Sequence, residues 1–308
     1  MTTALIPADR MTDWRRLKAL VLDTVSSPIT KRVYNMALDE FFAWFAEEPR
    51  PGFNKAIVNA WRTELEKRGI GPISINIRLT AVRKLAVEAA DNGLVAPEVA
   101  SAISRVKGIS ARGVRTGNWL SLQQAQALLN APDSITKKGV RDRAMLAVLI
   151  GCGLRRSEVA SMTMRHIQLR DNRWCIVDLV GKHGRIRTVP VPTWVKTAVD
   201  QWTALAWINV GHVFRTVSRG DQVSGEGMTE KTVYHILRGY ATTVGIPTLA
   251  PHDLRRTCAK LCRAAGGELE QIQMLLGHAS VQTTERYLGT KQDLAHAPND
   301  GIKLRLSI

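Results

Sequence analysis

Six side chains in the second half of the chain could together carry out chemistry on a phosphate. They are Arg155 in GLRRSE, Lys182 in VGKHGRIRTVPV, His252 and Arg255 in HDLRR, His278 in LLGHAS and Tyr287 in TTERYL. A phosphodiester resists attack because its oxygens are negative, so catalysis must neutralise the transition state and supply both a nucleophile and an acid. Guanidinium groups suit the first task, since they stay charged and offer a fork that matches two phosphate oxygens.

Local spacing predicts how the two arginines are held. Arg155 follows a GCG break after a helical segment, so it begins a new helix, and Glu158 on the same face could hold its guanidinium. In HDLRR the i,i+3 step places His252 and Arg255 on one helix face, while Arg256 points elsewhere and is expected to contact a phosphate backbone. Taken singly, the first arginine could be a surface residue and the histidine a capping or core residue.

The other three groups have weaker local signals. Lys182 lies at a predicted hairpin tip, where an ammonium on a flexible stem could protonate a leaving oxygen. His278 follows a helix end marked by Gly277 and could have a purely local role. Tyr287 lies on a short amphipathic segment, where a tyrosine is ordinarily a core residue.

The order of the six residues, the HxxR step and the spacing from His278 to Tyr287 resemble the tyrosine recombinase (phage integrase) family, over roughly residues 119 to 290. The resemblance implies that Tyr287 attacks the scissile phosphate to form a 3′-phosphotyrosyl bond. It also implies that His278 is an auxiliary hydrogen-bond donor to that phosphate and that Lys182 is the acid. No metal, ATP or other cofactor is expected.

The same resemblance implies site-specific recombination of double-stranded DNA through a Holliday junction, within a homotetramer and with accessory DNA-bending proteins as further partners.

The expected fold is mainly α with a small β-hairpin or sheet. It has an N-terminal helical core-binding (SAM-like) bundle and a C-terminal catalytic domain, which close on DNA as a C-shaped clamp. Because the chain starts almost directly with the bundle, a recombinase of the Xer, transposon or integrative-element kind is favoured. Two alternatives stay open, namely a type IB topoisomerase and a non-catalytic DNA-binding protein on this fold.

The charge balance agrees with a polyanionic partner. Forty-three Lys and Arg against 27 Asp and Glu give a net charge of +16. Residues 1–106 hold 15 basic and 12 acidic side chains, and the remainder holds 28 and 15. Most of the excess positive charge therefore lies in residues 107–308.

The first hundred residues read as four helices. Ser27 and Asn54 are predicted caps of the first two, Ser74 of the third, and a shorter helix is expected over 98–106. We predict a core-binding domain at 1–106, a linker at 107–118 and a catalytic domain at 119–308, where Ser121 and Gln124 form a capping box.

The predicted linker is basic and glycine-rich, and no acidic residue occurs from Val99 to Pro132. A flexible tether is one interpretation. The other is that Arg105, Lys107, Arg112 and Arg115 contact the phosphate backbone as the clamp closes.

Beyond the linker, the second domain is predicted to be mostly helical, with one hairpin formed by residues 174–180 and 185–192. After Pro298 the C-terminal tail alternates apolar and polar residues, with Ile302, Leu304, Leu306 and Ile308 on one side. That strand could pack on its own subunit or add to a sheet edge of a neighbouring one.

Four cysteines form no disulfide-like framework, which fits a reducing compartment. Cys258 and Cys262 lie one helical turn apart, but we expect no zinc because no CxxC pair is present. No apolar run is long enough to span a bilayer, and the N-terminus lacks the order of a signal peptide. We therefore expect a cytoplasmic protein of a bacterial-type cytosol, with no membrane partner.

Overall fold

The structure is a computed structural model, and it describes residues 11–110, 118–181, 184 and 186–288, with backbone alone for 11–13, 286 and 287. The chain divides into two compact units, Met1–Val114 and Arg115–Ile308. Among the described residues, no helix is long and apolar enough to cross a membrane.

The first unit is a bundle of helices around an aromatic core. Its described helices are α1 (Met11–Asp23), α2 (Pro28–Ala46), α3 (Lys55–Lys67), α4 (Pro72–Asp91) and α5 (Pro97–Ser104). Ser27 and Asn54 cap α2 and α3 as predicted, since the side chain of each accepts a backbone N–H three residues on. Phe41 and Trp61 are fully buried, with their ring centroids 5.0 Å apart.

Two details of the predicted bundle were wrong. Helix α1 was not expected, because its sequence has no clear cap, yet Trp14, Leu17 and Val21 bury one face of it in the core. The third predicted helix begins at Pro72 rather than after Ser74, because proline has a backbone angle suited to a first helical position and lacks the N–H that would go unpaired there.

Both ends of the predicted linker are hydrogen-bonded to the units that they join. Asn76 exchanges two hydrogen bonds with the backbone of Ile109, donating at 2.9 Å and accepting at 2.8 Å. The guanidinium of Arg62 donates to the carbonyl of Lys107. At the other end, the backbone N–H of Asn118 donates to Asp253. Residues 107–110 are therefore fixed to the bundle rather than free, which corrects the expectation of a flexible tether at these positions.

The second unit is mostly helical. Its described helices are α6 (Leu122–Asn130), α7 (Lys137–Gly151), α8 (Arg156–Ser161), α9 (Thr193–Leu205), α10 (Glu230–Thr243), α11 (Pro251–Ala264), α12 (Leu269–Leu276) and α13 (Val281–Leu288). The predicted capping box is present, since Ser121 and Gln124 each accept the backbone N–H of the other. Residues 144–150 of α7 are all buried, so this helix forms the centre of the core.

The predicted hairpin is part of a three-stranded antiparallel sheet in the order β1-β2-β3. Its strands are β1 (Ile167–Arg170), β2 (Arg173–Val180) and β3 (Ile186–Pro190). Strand β1 was not expected. A smaller antiparallel pair consists of β4 (Thr216–Val217) and β5 (Val223–Ser224). Lys182 and the C-terminal tail from residue 289 lie outside the described residues.

Candidate active site

Arg155 is the N-cap residue of α8, as predicted from the break that precedes it. Glu158 accepts the backbone N–H of Arg155 at 2.8 Å and a guanidinium N–H of the same residue at 2.7 Å. The expectation that Glu158 holds this arginine is confirmed. Gly153 permits the sharp turn before the helix, because its φ is +58° and an added Cβ would lie 2.9 Å from Leu276.

Glu158 is shared with a second arginine, on β3. Arg187 forms a two-pronged ion pair with the Glu158 carboxylate, with both N–O distances 2.8 Å, and its Nε donates to the carbonyl of Leu275. Although burial raises the pKa of Glu158, hydrogen bonds and charge from Arg187, followed by those of Arg155, lower it to about 2. The carboxylate is therefore ionised at neutral pH and is matched by two positive charges.

Helix α11 carries the HDLRR segment with its predicted facing pair. Arg255 is almost fully buried and donates to the carbonyls of Gly153, at 2.6 Å, and of Leu276. His252, one turn earlier, is partly exposed to solvent. Arg155, His252 and Arg255 all line one pocket of about 300 Å³, so the structure brings these three predicted residues together.

His278 is buried at the start of the loop that leads into α13. Its Nδ1 lies 2.9 Å from the hydroxyl of Thr284, which is fully buried on α13. If the hydroxyl donates, Nδ1 accepts and the proton of the neutral ring is on Nε2. Thr284 was not among the predicted residues, and its contact links the histidine to the helix of the predicted nucleophile.

Burial and nearby guanidinium groups lower the pKa values of both histidines of the site. Burial, followed by the nearby positive charges of Arg255 and Arg155, lowers the pKa of His278 to about 4. The pKa of His252 is lowered by partial burial and then by Arg256 and Arg255. Both imidazoles are therefore neutral at pH 7 in the free protein, within a field set by several guanidinium groups.

Two predicted residues cannot be placed in this geometry. Lys182 lies outside the described residues, in the connection between β2 and β3. The backbone of Tyr287 lies in the last turn of α13, as predicted, but its side chain is outside what the structure describes. Helix α13 is held at its end by Lys260, which donates to the carbonyl of Leu288 at 2.8 Å.

Arg256 does not have the expected position. Its side chain is 7% exposed and donates to Asp253 and to the carbonyl of Asn118. These contacts place it between α11 and the end of the linker, so the structure favours an internal role over the predicted contact with a phosphate backbone.

Of the four basic residues in or next to the linker, Arg105 and Lys107 are exposed, as a DNA contact requires, while Arg112 and Arg115 lie outside the described residues. Cys258 and Cys262, considered for zinc, are free thiols one turn apart on α11. The contact of these four basic residues with DNA stays a prediction.

Arg187 was missed as a site residue, although its sequence carries a signal. Along β3, Ile186, Thr188 and Pro190 are exposed, whereas Val189 is buried and Arg187 shares its side of the strand. An arginine on the buried face of a strand needs a buried anion, because an unpaired charge is costly there. Which anion it meets depends on the tertiary fold.

Comparisons with known proteins identify the family of this chain. The sequence model of the phage integrase family matches residues 118–293, more than half of the chain. The tyrosine recombinase XerD of Vibrio cholerae is 37% identical over 175 residues, covering 54% of this chain and 55% of that protein, so the chain spans about half the length of this relative. XerD of Pseudomonas aeruginosa is 30% identical over 291 residues, covering 89% of this chain and 90% of that protein.

The chain belongs to the phage integrase family. A solved structure of the Tn1549 transposon integrase in complex with transposon right end DNA is similar to this chain with a TM-score of 0.71. The two are 14% identical, over 91% of this chain and 95% of that one. The predicted fold class, mainly helical with a small sheet and with an N-terminal helical domain before the recombinase catalytic domain, is confirmed.

Proposed function

We propose that this protein is a site-specific DNA recombinase that cleaves and rejoins strands through a covalent bond to Tyr287. The observation that carries the proposal is the convergence of Arg155, His252 and Arg255 on one pocket, with His278 within their electrostatic reach. Arginines and neutral imidazoles around a pocket suit a phosphate whose negative charge increases in the transition state. The proposal is further supported by the family and by the recombinases and integrase that resemble this chain.

Each residue has a distinct role in the proposed reaction. A tyrosine phenol in water has a pKa of about 10, so Tyr287 has to lose its proton to act as a nucleophile, and the neutral imidazole of His252 can accept that proton. The phenolate oxygen bonds to phosphorus as the bond from phosphorus to the 5′ oxygen breaks. Lys182 donates a proton to that leaving oxygen. The sum of these steps needs neither a metal ion nor ATP.

The remaining groups stabilise the charge of the transition state. Arg155 and Arg255 supply guanidinium N–H groups to the non-bridging oxygens, and Nε2–H of His278 supplies a further donor. Glu158 keeps Arg155 in place before the DNA arrives, so this donor needs little reorganisation. The released 5′ hydroxyl then attacks the phosphotyrosyl bond of a partner duplex, and the bond energy is retained.

Recombination requires an assembly, and we propose that four copies act on two DNA duplexes through a Holliday junction, with accessory DNA-bending proteins where the site needs them. The domain boundaries remain a proposal, with a core-binding domain at 1–106, a linker at 107–118 and a catalytic domain at 119–308. The tail after Pro298, outside the described residues, is proposed to dock on a neighbouring subunit. Deleting residues 301–308 should then reduce assembly and recombination while binding to a single DNA site stays near normal. If the truncated chain instead loses monomer stability, the tail packs on its own subunit and docking on a neighbouring one is ruled out.

Trapping of the covalent intermediate tests the central claim. The probe is nicked duplex DNA from either side of the gene, incubated with the purified full chain in EDTA. We expect a covalent complex in the wild type and in Tyr34→Phe, which removes a hydroxyl in the bundle, but none in Tyr287→Phe. Trapping that survives Tyr287→Phe, or that needs magnesium, contradicts the proposal.

Two plasmid assays separate the alternatives. A recombinase joins two sites, whereas a type IB topoisomerase relaxes supercoils without exchanging partners, and a non-catalytic protein does neither. We expect two-site recombination that is lost in Tyr287→Phe. Relaxation without recombination by the wild type would favour the topoisomerase.

A further inference from the structure

A single buried hydroxyl group, that of Thr284, meets the imidazole of His278 inside the second unit. Thr284 is fully buried on α13, and its oxygen lies 2.9 Å from Nδ1 of the ring. Among the residues that the structure describes, this nitrogen is the one hydrogen-bond partner of the Thr284 side chain. The contact therefore satisfies a hydroxyl that would be costly to bury without a partner.

The surroundings of Thr284 do not otherwise call for a polar side chain. Leu288, one turn later on the same side of α13, packs in a buried apolar cluster with Ala259 of α11 and with Ile272 and Leu276 of α12. A valine has nearly the shape of a threonine and would fill this position without a polar atom. The hydroxyl is therefore explained by its contact with His278 rather than by the packing of the helix.

The direction of this hydrogen bond follows from the donors and acceptors that are present. A threonine hydroxyl carries one hydrogen, which needs an acceptor once water is excluded. If the ring donated from Nδ1, that hydrogen would have no acceptor among the described residues, and leaving it unpaired is costly. The hydroxyl of Thr284 therefore donates, Nδ1 accepts, and the proton of the neutral His278 ring lies on Nε2.

The position of this proton decides what the ring can do. Because burial and the charges of Arg255 and Arg155 lower the pKa of His278 to about 4, the ring is neutral at pH 7 and carries a single N–H. With the proton on Nε2, that nitrogen can donate to a negative oxygen. With the proton on Nδ1, the lone pair of Nε2 would repel the same oxygen.

The backbone of His278 is held separately from its ring. Its N–H donates to the carbonyl of Gln273 at 3.1 Å, and its carbonyl accepts from the Gln273 side chain at 3.2 Å. These bonds attach the backbone to α12 and do not involve the ring. Thr284, on the next helix, supplies a contact that acts on the ring itself.

We propose that Thr284 is a positioning residue that keeps the proton of His278 on Nε2 and so makes this ring a hydrogen-bond donor to the scissile phosphate. The proposal rests on the proposed recombinase function. In other enzymes too, a group behind an imidazole fixes the tautomer and orientation that catalysis needs. The competing explanation is a hydroxyl that only stabilises the docking of α13, which would matter whatever residue stands at position 278.

A double-mutant cycle separates the two explanations. Thr284→Val removes the hydroxyl and nearly preserves the volume, whereas Thr284→Ser keeps the hydroxyl and loses a methyl group. Both are made in the full chain, with and without His278→Ala. The matched control is Thr283→Val, at the neighbouring half-buried threonine whose hydroxyl lies 3.4 Å from that of Ser280. The measurements are the rate of covalent complex formation at saturating nicked DNA and the affinity for that DNA.

We expect Thr284→Val to slow covalent complex formation about tenfold, the effect of one neutral hydrogen bond, with affinity unchanged within about twofold. His278→Ala should slow it about 10²-fold, since a whole donor is lost. Adding Thr284→Val to His278→Ala should change the rate by less than about twofold, because the hydroxyl acts only through the ring. Thr284→Ser should keep most of the rate, and Thr283→Val should match the wild type.

Equal losses from Thr284→Val with and without His278, or no loss in either background, would overturn the proposal. If Thr284→Val does not fold, Thr284→Ser and Thr284→Ala carry the test, because both lose the methyl group and only the serine keeps the hydroxyl. A wild type that forms no covalent complex overturns the function and this inference together. An active wild type in which Thr284→Val and His278→Ala act independently overturns the inference alone.

Discussion

The two units differ in the kind of side chains that they bury. The core of the first unit is apolar and aromatic, with Trp14, Phe41, Phe45, Phe53 and Trp61 in mutual contact. In the described part of the chain, the charged residues that are buried as a whole all belong to the second unit, namely Arg141, Asp142, Glu158, Asp253, Arg255 and Arg256. The side chain of Arg187 in the same unit is only 8% exposed. Apolar burial is the cheaper route to stability, whereas buried ion pairs contribute little or nothing net. The second unit therefore holds charges in place for a reason other than stability.

The largest expected effect lies in the charged unit. Arg155→Ala or Arg255→Ala should slow cleavage about 10³-fold or more, because each removes a donor to the transition state. DNA affinity should stay within about tenfold, since many other basic residues supply the electrostatic attraction. The measurement is covalent complex formation beside filter binding, with Arg173→Ala, at an exposed position of strand β2 outside the pocket, as the control. Cleavage at near wild-type rate by either variant would remove that arginine from the site.

The aromatic unit should respond in the opposite way. Phe41→Ala opens a cavity in a fully buried cluster and should lower the stability of the bundle by about 3–5 kcal/mol. Hydrogen exchange of the α2 and α4 amides measures this loss, with the exposed Ile29→Ala on the same helix as the control. The cleavage rate at saturating DNA should change little at a temperature where the variant is folded. If Phe41→Ala lost hydrogen-exchange protection only in the second unit, the proposed difference between the two cores would be wrong.

A moderate and pH-dependent effect is expected from His278. Its pKa is about 4 in the folded chain and about 6.5 when unfolded, so the unfolded state takes up the proton first. Stability should therefore fall as the pH decreases from about 6.5 to about 4, and His278→Asn should reduce that fall. Urea midpoints across this range measure the effect, with the exposed His235→Asn as the control. An identical pH profile for wild type and His278→Asn would contradict the buried, neutral ring.

The smallest effect concerns the segment between the units. Replacing Arg105, Lys107, Arg112 and Arg115 together by glutamine should weaken DNA binding and reduce the slope of log affinity against log salt by up to about 3.6. Arg105→Gln alone should give about a quarter of that change. An unchanged slope would mean that the segment is a passive connection.

The sequence predicted those parts of the site that depend on neighbours in the chain. Arg155 with Glu158, and His252 with Arg255, are each three residues apart, so helix geometry alone places them together. Arg187 meets Glu158 from 29 positions away and Leu275 from 88, and no local pattern encodes such contacts.

The unexpected position of Arg256 has the same origin. Its helix position suggested a face turned to DNA, but its partner Asn118 lies 138 positions earlier in the chain. The fold followed similar rules. Caps and glycine stops located several helix ends, such as those at Ser27, Asn54, Ser121 and Gly277. By contrast, α1 and β1 are stabilised by tertiary packing and strand pairing that short sequence windows do not show.

The contact between His278 and Thr284 turns the imidazole into a spectroscopic reporter. Thr284 and Tyr287 lie three residues apart on α13, so the ring keeps its Nδ1 partner only while that helix is docked. The ¹⁵N shifts of the two ring nitrogens differ strongly between tautomers and would report undocking without any DNA present. A single labelled side chain could thus follow how often the nucleophile's helix leaves its place, and how ligands or neighbouring subunits change that frequency.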